Sequence, residues 1–134
     1  MPQSACFTLR RVAEGRSHFA RVHVEVASTG STNTAYHVET VCDPPAGDCL
    51  PSWLEAARSG AAVVAKTERL NVRITRVEGT LADTRDDTVW CAAVMATLRG
   101  AGLEGTAQVE FKAGRWHAVL PGEKHLGYEG RSAD

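Results

Sequence analysis

The sequence predicts an α+β fold, a two-layer, mostly antiparallel sheet with two helices on one face and a C-terminal β-hairpin. Three observations carry that prediction. Apolar and polar residues alternate with period two in the N-terminal third and again near the C-terminus. Two longer stretches in the middle repeat their apolar residues with helical spacing. The first three strands are joined by loops too short to hold a helix, so they read as antiparallel rather than as βαβ units.

The first strand runs from Cys6 to Val12, with Phe7 and Leu9 alternating against Thr8 and Arg10, and Ala13–Ser17 forms a turn. The second strand runs from His18 to Ala27. Ala20, Val22, Val24 and Val26 share its inward face, Arg21, His23 and Glu25 its outward one, and His18 has the opposite parity to Arg21. After a polar loop comes a short third strand, Ala35–Val41. Pro51 then suits the first turn of a helix whose Leu50, Trp53, Leu54, Ala57, Ala61 and Val64 fall on one side. Gly60 weakens the middle of that helix by about 1 kcal/mol relative to alanine.

Leu70, Val72 and Ile74 alternate in a fourth strand, Leu70–Thr75. Asp83 or Thr84 is positioned to cap a second helix, with Asp86 and Asp87 in its first turn. That helix, through Val89–Ala96, is apolar on every side, which predicts a central, buried position, and Gly100 or Gly102 ends it. Thr106–Lys112 and Arg115–Leu120 pair around Ala113-Gly114 as the terminal hairpin, and residues 121–134 read as a polar tail on a core of about 5–120.

At 134 residues the chain is one domain's worth. Its net charge of −1 excludes a strongly basic nucleic-acid binder, and its 43% apolar content excludes disorder. No apolar run reaches the ~20 residues of a membrane span, and the N-terminus lacks the pattern of a secretory signal, which places the chain in the cytoplasm. The charge is nevertheless uneven. Up to residue 23, four arginines (Arg10, Arg11, Arg16, Arg21) stand against Glu14, a local net of +3, while residues 41–88 carry six basic and eight acidic side chains, a net of −2.

In order, several segments resemble domain IV of bacterial translation elongation factor G. His18–Val26 resembles the strand after that domain's tip loop. Leu50–Gly60 is similar to its helix-opening segment, and Leu70–Thr75, Gly79-Thr80, Asp83 and the alanine-rich helix through Gly100 are similar to its strand, turn, loop and second helix. The resemblance covers residues 6–102. It implies the fold that domain IV shares with the second domain of a small-subunit ribosomal protein, including a left-handed crossover. It also implies contact with ribosomal RNA or a protein partner. The family's long first tip loop corresponds here to Ala13–Ser17, and its second to Gly79–Asp87. No Gly-x-x-x-x-Gly-Lys-Ser/Thr phosphate loop, the mark of the family's GTPase module, occurs in this sequence.

On this reading the protein is a non-enzymatic module without a cofactor. Its contact face comprises Arg10, Arg16, Arg21 and His23 on the first hairpin, with Asp83 and Arg85 on the second loop. Arginines there would meet RNA phosphates; the competing reading is a solvated sheet face of Arg–Glu pairs. Other constellations also carry two readings. Asp83, Asp86 and Asp87 suit either Mg²⁺ or helix-end electrostatics. His37, Cys42 and Cys49 with Asp43 and Asp48 suggest zinc, but six residues between the cysteines is wide for a structural site, leaving free thiols or a disulfide as the alternatives. A rival reading is a small enzyme, with His37, Asp43 or Asp83, His117 and a cysteine converging in a pocket between sheet and helices. A third is a homodimer built on the terminal hairpin through Phe111, Trp116 and Val119.

Overall fold

Seven strands and two helices follow in the order βββαβαβββ in a computed structural model that describes residues 2–29, 36–41, 50–122 and 124–128. The elements are β1 (Gln3–Ala13), β2 (Arg16–Ser28), β3 (His37–Thr40), α1 (Pro51–Glu68), β4 (Leu70–Glu78), α2 (Asp86–Gly100), β5 (Gln108–Lys112), β6 (Arg115–Leu120) and β7 (Lys124–Gly127). They form a four-stranded sheet in the order β1-β2-β4-β3 and a three-stranded sheet in the order β5-β6-β7. The α+β class, the two helices and the C-terminal hairpin follow the sequence reading.

Two features differ from it. β3 does not extend the N-terminal meander: it lies beyond β4 and runs parallel to it, pairing Val38 with Val72. The cause is the helix between them, since a strand–helix–strand connection returns to its sheet in parallel. The polar tail also contributes a strand, because β7 pairs with β6 from Leu120↔Lys124 to His117↔Gly127 and makes a three-stranded sheet of the hairpin.

β4 is longer than its alternation suggests, and a bulge explains why. Opposite β2 the register passes from His23↔Arg76 to Val24↔Ile74, leaving Thr75 as the extra residue. Beyond it the alternation resumes in the other phase. Val77 turns inward, 2% exposed, and Arg76 and Glu78 turn outward.

The inward faces of β1, β2 and β4 bury Leu9, Ala20, Val22, Val24, Val26, Val72 and Ile74 against the helices. Pro51 opens α1, and Arg69, at φ 57°, closes it by donating its backbone N–H to the Ala65 carbonyl. α1 and α2 cross at Gly60, where a Cβ would stand 2.5 Å from the Trp90 carbonyl oxygen. The glycine that weakens α1 is therefore what lets the two backbones meet. α2 is buried from Asp87 to Leu98 and at Gly100, because α1, the large sheet and β6 together enclose it.

Candidate nucleic-acid interface at the hairpin tip

The outward face of the large sheet carries Arg21, His23 and His37 among the polar residues that the sequence singled out, and opposite charges pair across it. Glu78, brought outward by the bulge, gathers three basic side chains: Arg21 at 3.3 Å, His23 at 2.9 Å and Arg76 at 3.4 Å. Arg73 bridges Glu25 at 3.4 Å and Glu39 at 3.1 Å, and His37 lies 3.6 Å from Glu39. Arg21 also donates from Nε to Thr8 Oγ1 at 2.9 Å. Two of the predicted contact residues, Arg21 and His23, are thus both engaged by Glu78 within the sheet. The alternation did place them outward, but cross-strand neighbours are fixed by register, which the sequence does not display.

Cys6 lies 3.7 Å from His23 Nε2, the same nitrogen that faces Glu78 at 2.9 Å. A proton on Nε2 directed at the carboxylate leaves that nitrogen no lone pair for the thiol. A nucleophile–base–acid relay needs the two ring nitrogens to serve different partners, so these three side chains do not form one.

The end of the sheet is arranged differently. β1 and β2 turn through Glu14 and Gly15, both at positive φ (51° and 77°), the pairing of left-handed residues that a tight two-residue hairpin requires. Arg10, Arg11 and Arg16 flank this turn and make no ion pair among the described residues. The Arg10 guanidinium lies over the Phe19 ring, 5.0 Å from its centroid, and Arg21 also approaches that ring at 5.6 Å. Val12 at the turn and Leu81 on the neighbouring loop are 73% and 75% exposed, although both are aliphatic.

Loop 79–85 is fastened against β2 by a short relay. Thr80 N–H donates to Thr84 Oγ1 at 2.8 Å, and Thr84 Oγ1 donates to the Phe19 carbonyl at 2.6 Å. Phe19 N–H in turn donates to the Asp83 carbonyl at 3.1 Å. Thr84 is thus a loop clamp and not the helix cap, and Asp83 does not cap either: the residue preceding α2 is Arg85, whose side chain makes no cap hydrogen bond. The Thr84 side chain occupies the space beside Gly79, where a Cβ would fall 2.5 Å from Oγ1.

Hairpin and loop together bound a cleft of about 460 Å³ lined by Arg10, Arg11, Val12, Ser17, His18, Phe19, Thr80 and Asp83. Its volume is within the range of small-ligand sites. His18, on the inward parity, is 3% exposed and sits in a ring cluster with Phe111 (centroids 5.3 Å apart) and Trp116 (5.4 Å, edge-on). Its two ring nitrogens have no hydrogen-bond partner among the described residues.

Arg85, also predicted for the contact face, is exposed but engaged within the chain. Its Nε lies 3.3 Å from Asp87 Oδ1, and its Nη2 donates to the Gly114 carbonyl at 3.0 Å. Asp87, 6% exposed, accepts the Trp116 backbone N–H at 2.8 Å through Oδ2. This carboxylate at the start of α2 pins the second sheet to the helix, so it does not serve as a cation ligand beside Asp83 and Asp86. No group of three potential metal ligands occurs among the described residues. Cys42, Cys49, Asp43 and Asp48 lie outside those residues.

The rival catalytic set is dispersed. His37 is on β3 beside Glu39, while His117 is on β6 with Nε2 3.3 Å from the Lys112 carbonyl; no described contact joins them. Burial pushes the Cys91 thiol far above its ordinary range, with the Asp87 carboxylate adding to the shift, the opposite of what a nucleophilic cysteine needs. Trp116 and Val119, proposed for a dimer contact, are buried within the chain at 2% and 8% exposure. No described helix is long and apolar enough to cross a membrane.

Fold and site together define a small α+β domain with a charge-paired sheet face and an arginine-bearing hairpin tip. The architecture is similar to that of a Thermus thermophilus protein of known crystal structure, with a TM-score of 0.60 and 12% identity over 96% of this chain. The chain spans 29% of that protein, and at this identity the likeness is one of fold. No family model and no curated protein sequence matches the chain.

Proposed function

We propose that this chain is a binding module resembling domain IV of elongation factor G, which engages an RNA-containing partner through the hairpin tip and the adjoining loop 79–85. The observation that supports the reading is the contrast between tip and face. Arg10, Arg11 and Arg16 have no acidic partner among the described residues, whereas Arg21 and His23 are held by Glu78. A guanidinium without an internal carboxylate is available to an external phosphate and need not break a pair to reach it. The contact surface is accordingly the end of the hairpin, with Arg16, Arg10 and Arg11 in place of the strand face.

Co-sedimentation with ribosomes and binding to labelled single-stranded RNA test this reading. Three phosphate contacts give a slope of log affinity against log salt of about −2, roughly a twentyfold loss between about 50 and 200 mM salt. Arg10→Glu with Arg16→Glu is expected to abolish association, and Arg73→Gln, on the paired face, to leave it intact. Absence of association at low salt, or equal loss with Arg73→Gln, overturns the proposal.

A further inference from the structure

The cleft at the tip has a composition that phosphate attraction alone does not explain. Arg10 and Val12 of β1, Ser17 and Phe19 of β2, and Thr80 and Asp83 of the loop line it, with the Arg10 guanidinium 5.0 Å from the Phe19 ring centroid; Arg11, the next residue of β1, projects from the other face of the strand. Asp83 engages its neighbours through its backbone, donating to Thr80 and accepting from Phe19, and its carboxylate has no ion pair among the described residues. A site for a bare anion gains nothing from a carboxylate. A site for a molecule bearing an anion at one end and hydroxyl or amino donors at the other gains from both.

We propose that this cleft binds a single nucleotide, with its phosphate on the Arg10 guanidinium and its sugar hydroxyls or base amino group on the Asp83 carboxylate. The volume of about 460 Å³ accommodates one nucleotide. The inference rests on the tip being the binding surface and adds the ligand class and the role of Asp83. Whether the nucleotide is free or part of an RNA strand, the chemistry recognised is the same. His18 beneath the cleft, packed edge-on to Trp116, couples occupancy to an aromatic cluster whose fluorescence is measurable.

The test is calorimetric titration of the full chain with inorganic phosphate, adenosine and adenosine monophosphate, supported by tryptophan fluorescence and by competition against a labelled ten-nucleotide single-stranded RNA. Adenosine monophosphate is expected to bind more tightly than phosphate or adenosine. Arg10→Gln weakens it about tenfold, the loss of one charge-assisted hydrogen bond. Asp83→Asn weakens adenosine monophosphate but not phosphate, which a merely electrostatic or structural role for Asp83 does not predict, since removing a negative charge would then strengthen both. Circular dichroism confirms that each variant is folded. Failure of adenosine monophosphate to bind, or binding indifferent to Arg10→Gln and Asp83→Asn, overturns the inference. RNA binding that persists without competition from the mononucleotide overturns it while leaving the RNA-module reading standing. Mononucleotide binding without RNA association does the reverse.

Discussion

Asp87→Ala is the substitution that most directly tests how the second sheet is held. The carboxylate accepts a buried backbone N–H from Trp116 at 2.8 Å and pairs with Arg85, whose other contact is the Gly114 carbonyl. Removing it leaves the Trp116 N–H buried and unsatisfied, at about 1–3 kcal/mol. The lost pair with Arg85 and the lost negative charge in the first turn of α2 add about 0.5–1 kcal/mol. The expected loss is therefore about 2–4 kcal/mol, measured as a fall in the urea midpoint at unchanged slope. Asp87→Asn keeps an acceptor oxygen for Trp116 and is expected to lose about half as much. If Asp87→Ala costs less than about 0.5 kcal/mol, a typical surface effect, then the carboxylate does not pin the sheet and the argument fails. Millimolar Mg²⁺ is expected to leave the melting temperature of the native protein unchanged, because this oxygen pair is already engaged.

Three further outcomes are expected. Gly60→Ala gains about 1 kcal/mol of helix propensity but places a methyl 2.5 Å from the Trp90 carbonyl oxygen; with about 2–3 kcal/mol of overpacking, urea unfolding should show net destabilisation. Thr84→Ala removes the acceptor for Thr80 N–H and the donor to the Phe19 carbonyl, and hydrogen exchange at Thr80 should accelerate at least tenfold while α2 stays protected. Cys91 is expected to resist thiol reagents until the chain unfolds. In the unfolded chain its thiol ionises at about pH 8.5, whereas burial keeps it protonated in the fold. Its contribution is therefore fully present below that pH and declines as pH rises above it, by up to about 1.4 kcal/mol per unit. Denaturation curves of Cys91→Ala should lack that alkaline decline.

The parts of this structure that were legible in the sequence are those that depend on one segment's own pattern. β2's alternation put His18 on the inward parity and Arg21 and His23 outward. The all-round apolarity of α2 announced a helix enclosed on every side, and Ala113-Gly114 announced a turn at positive φ (56° and 77°). What the pattern hides is pairing. Period-two alternation is the same for a parallel and an antiparallel strand, so β3 could be recognised but not placed. The bulge at Thr75 interrupts β4's alternation, and the strand therefore read as ending where it only changed phase. β7 is nearly invisible in composition, since its backbone pairing with β6 matters more than its side chains. Asp87 has the residue type of a helix start, and only the arrival of β6 gives it its partner, the Trp116 backbone N–H.

Pairing also determines where this domain can bind charge. By composition the N-terminal hairpin is a basic patch, and four arginines against Glu14 suggest a continuous cationic face. The register divides them. Arg21 stands opposite Glu78 because the bulge rotated that glutamate outward; without the bulge, Arg76 would point into the core and Glu78 with it. Arg10, Arg11 and Arg16 lie beyond the last residue of β4, where β2 faces a loop instead of a strand, and no cross-strand carboxylate is available to them among the described residues. The acidic side chain lining the cleft at that end is Asp83. An external anion at the sheet face must compete with an internal carboxylate, while at the tip it meets arginines with no such competitor. A one-residue bulge in β4 therefore does two things at once: it seals the core with Val77 and neutralises the face with Glu78, leaving the arginines at the hairpin end without a cross-strand carboxylate among the described residues.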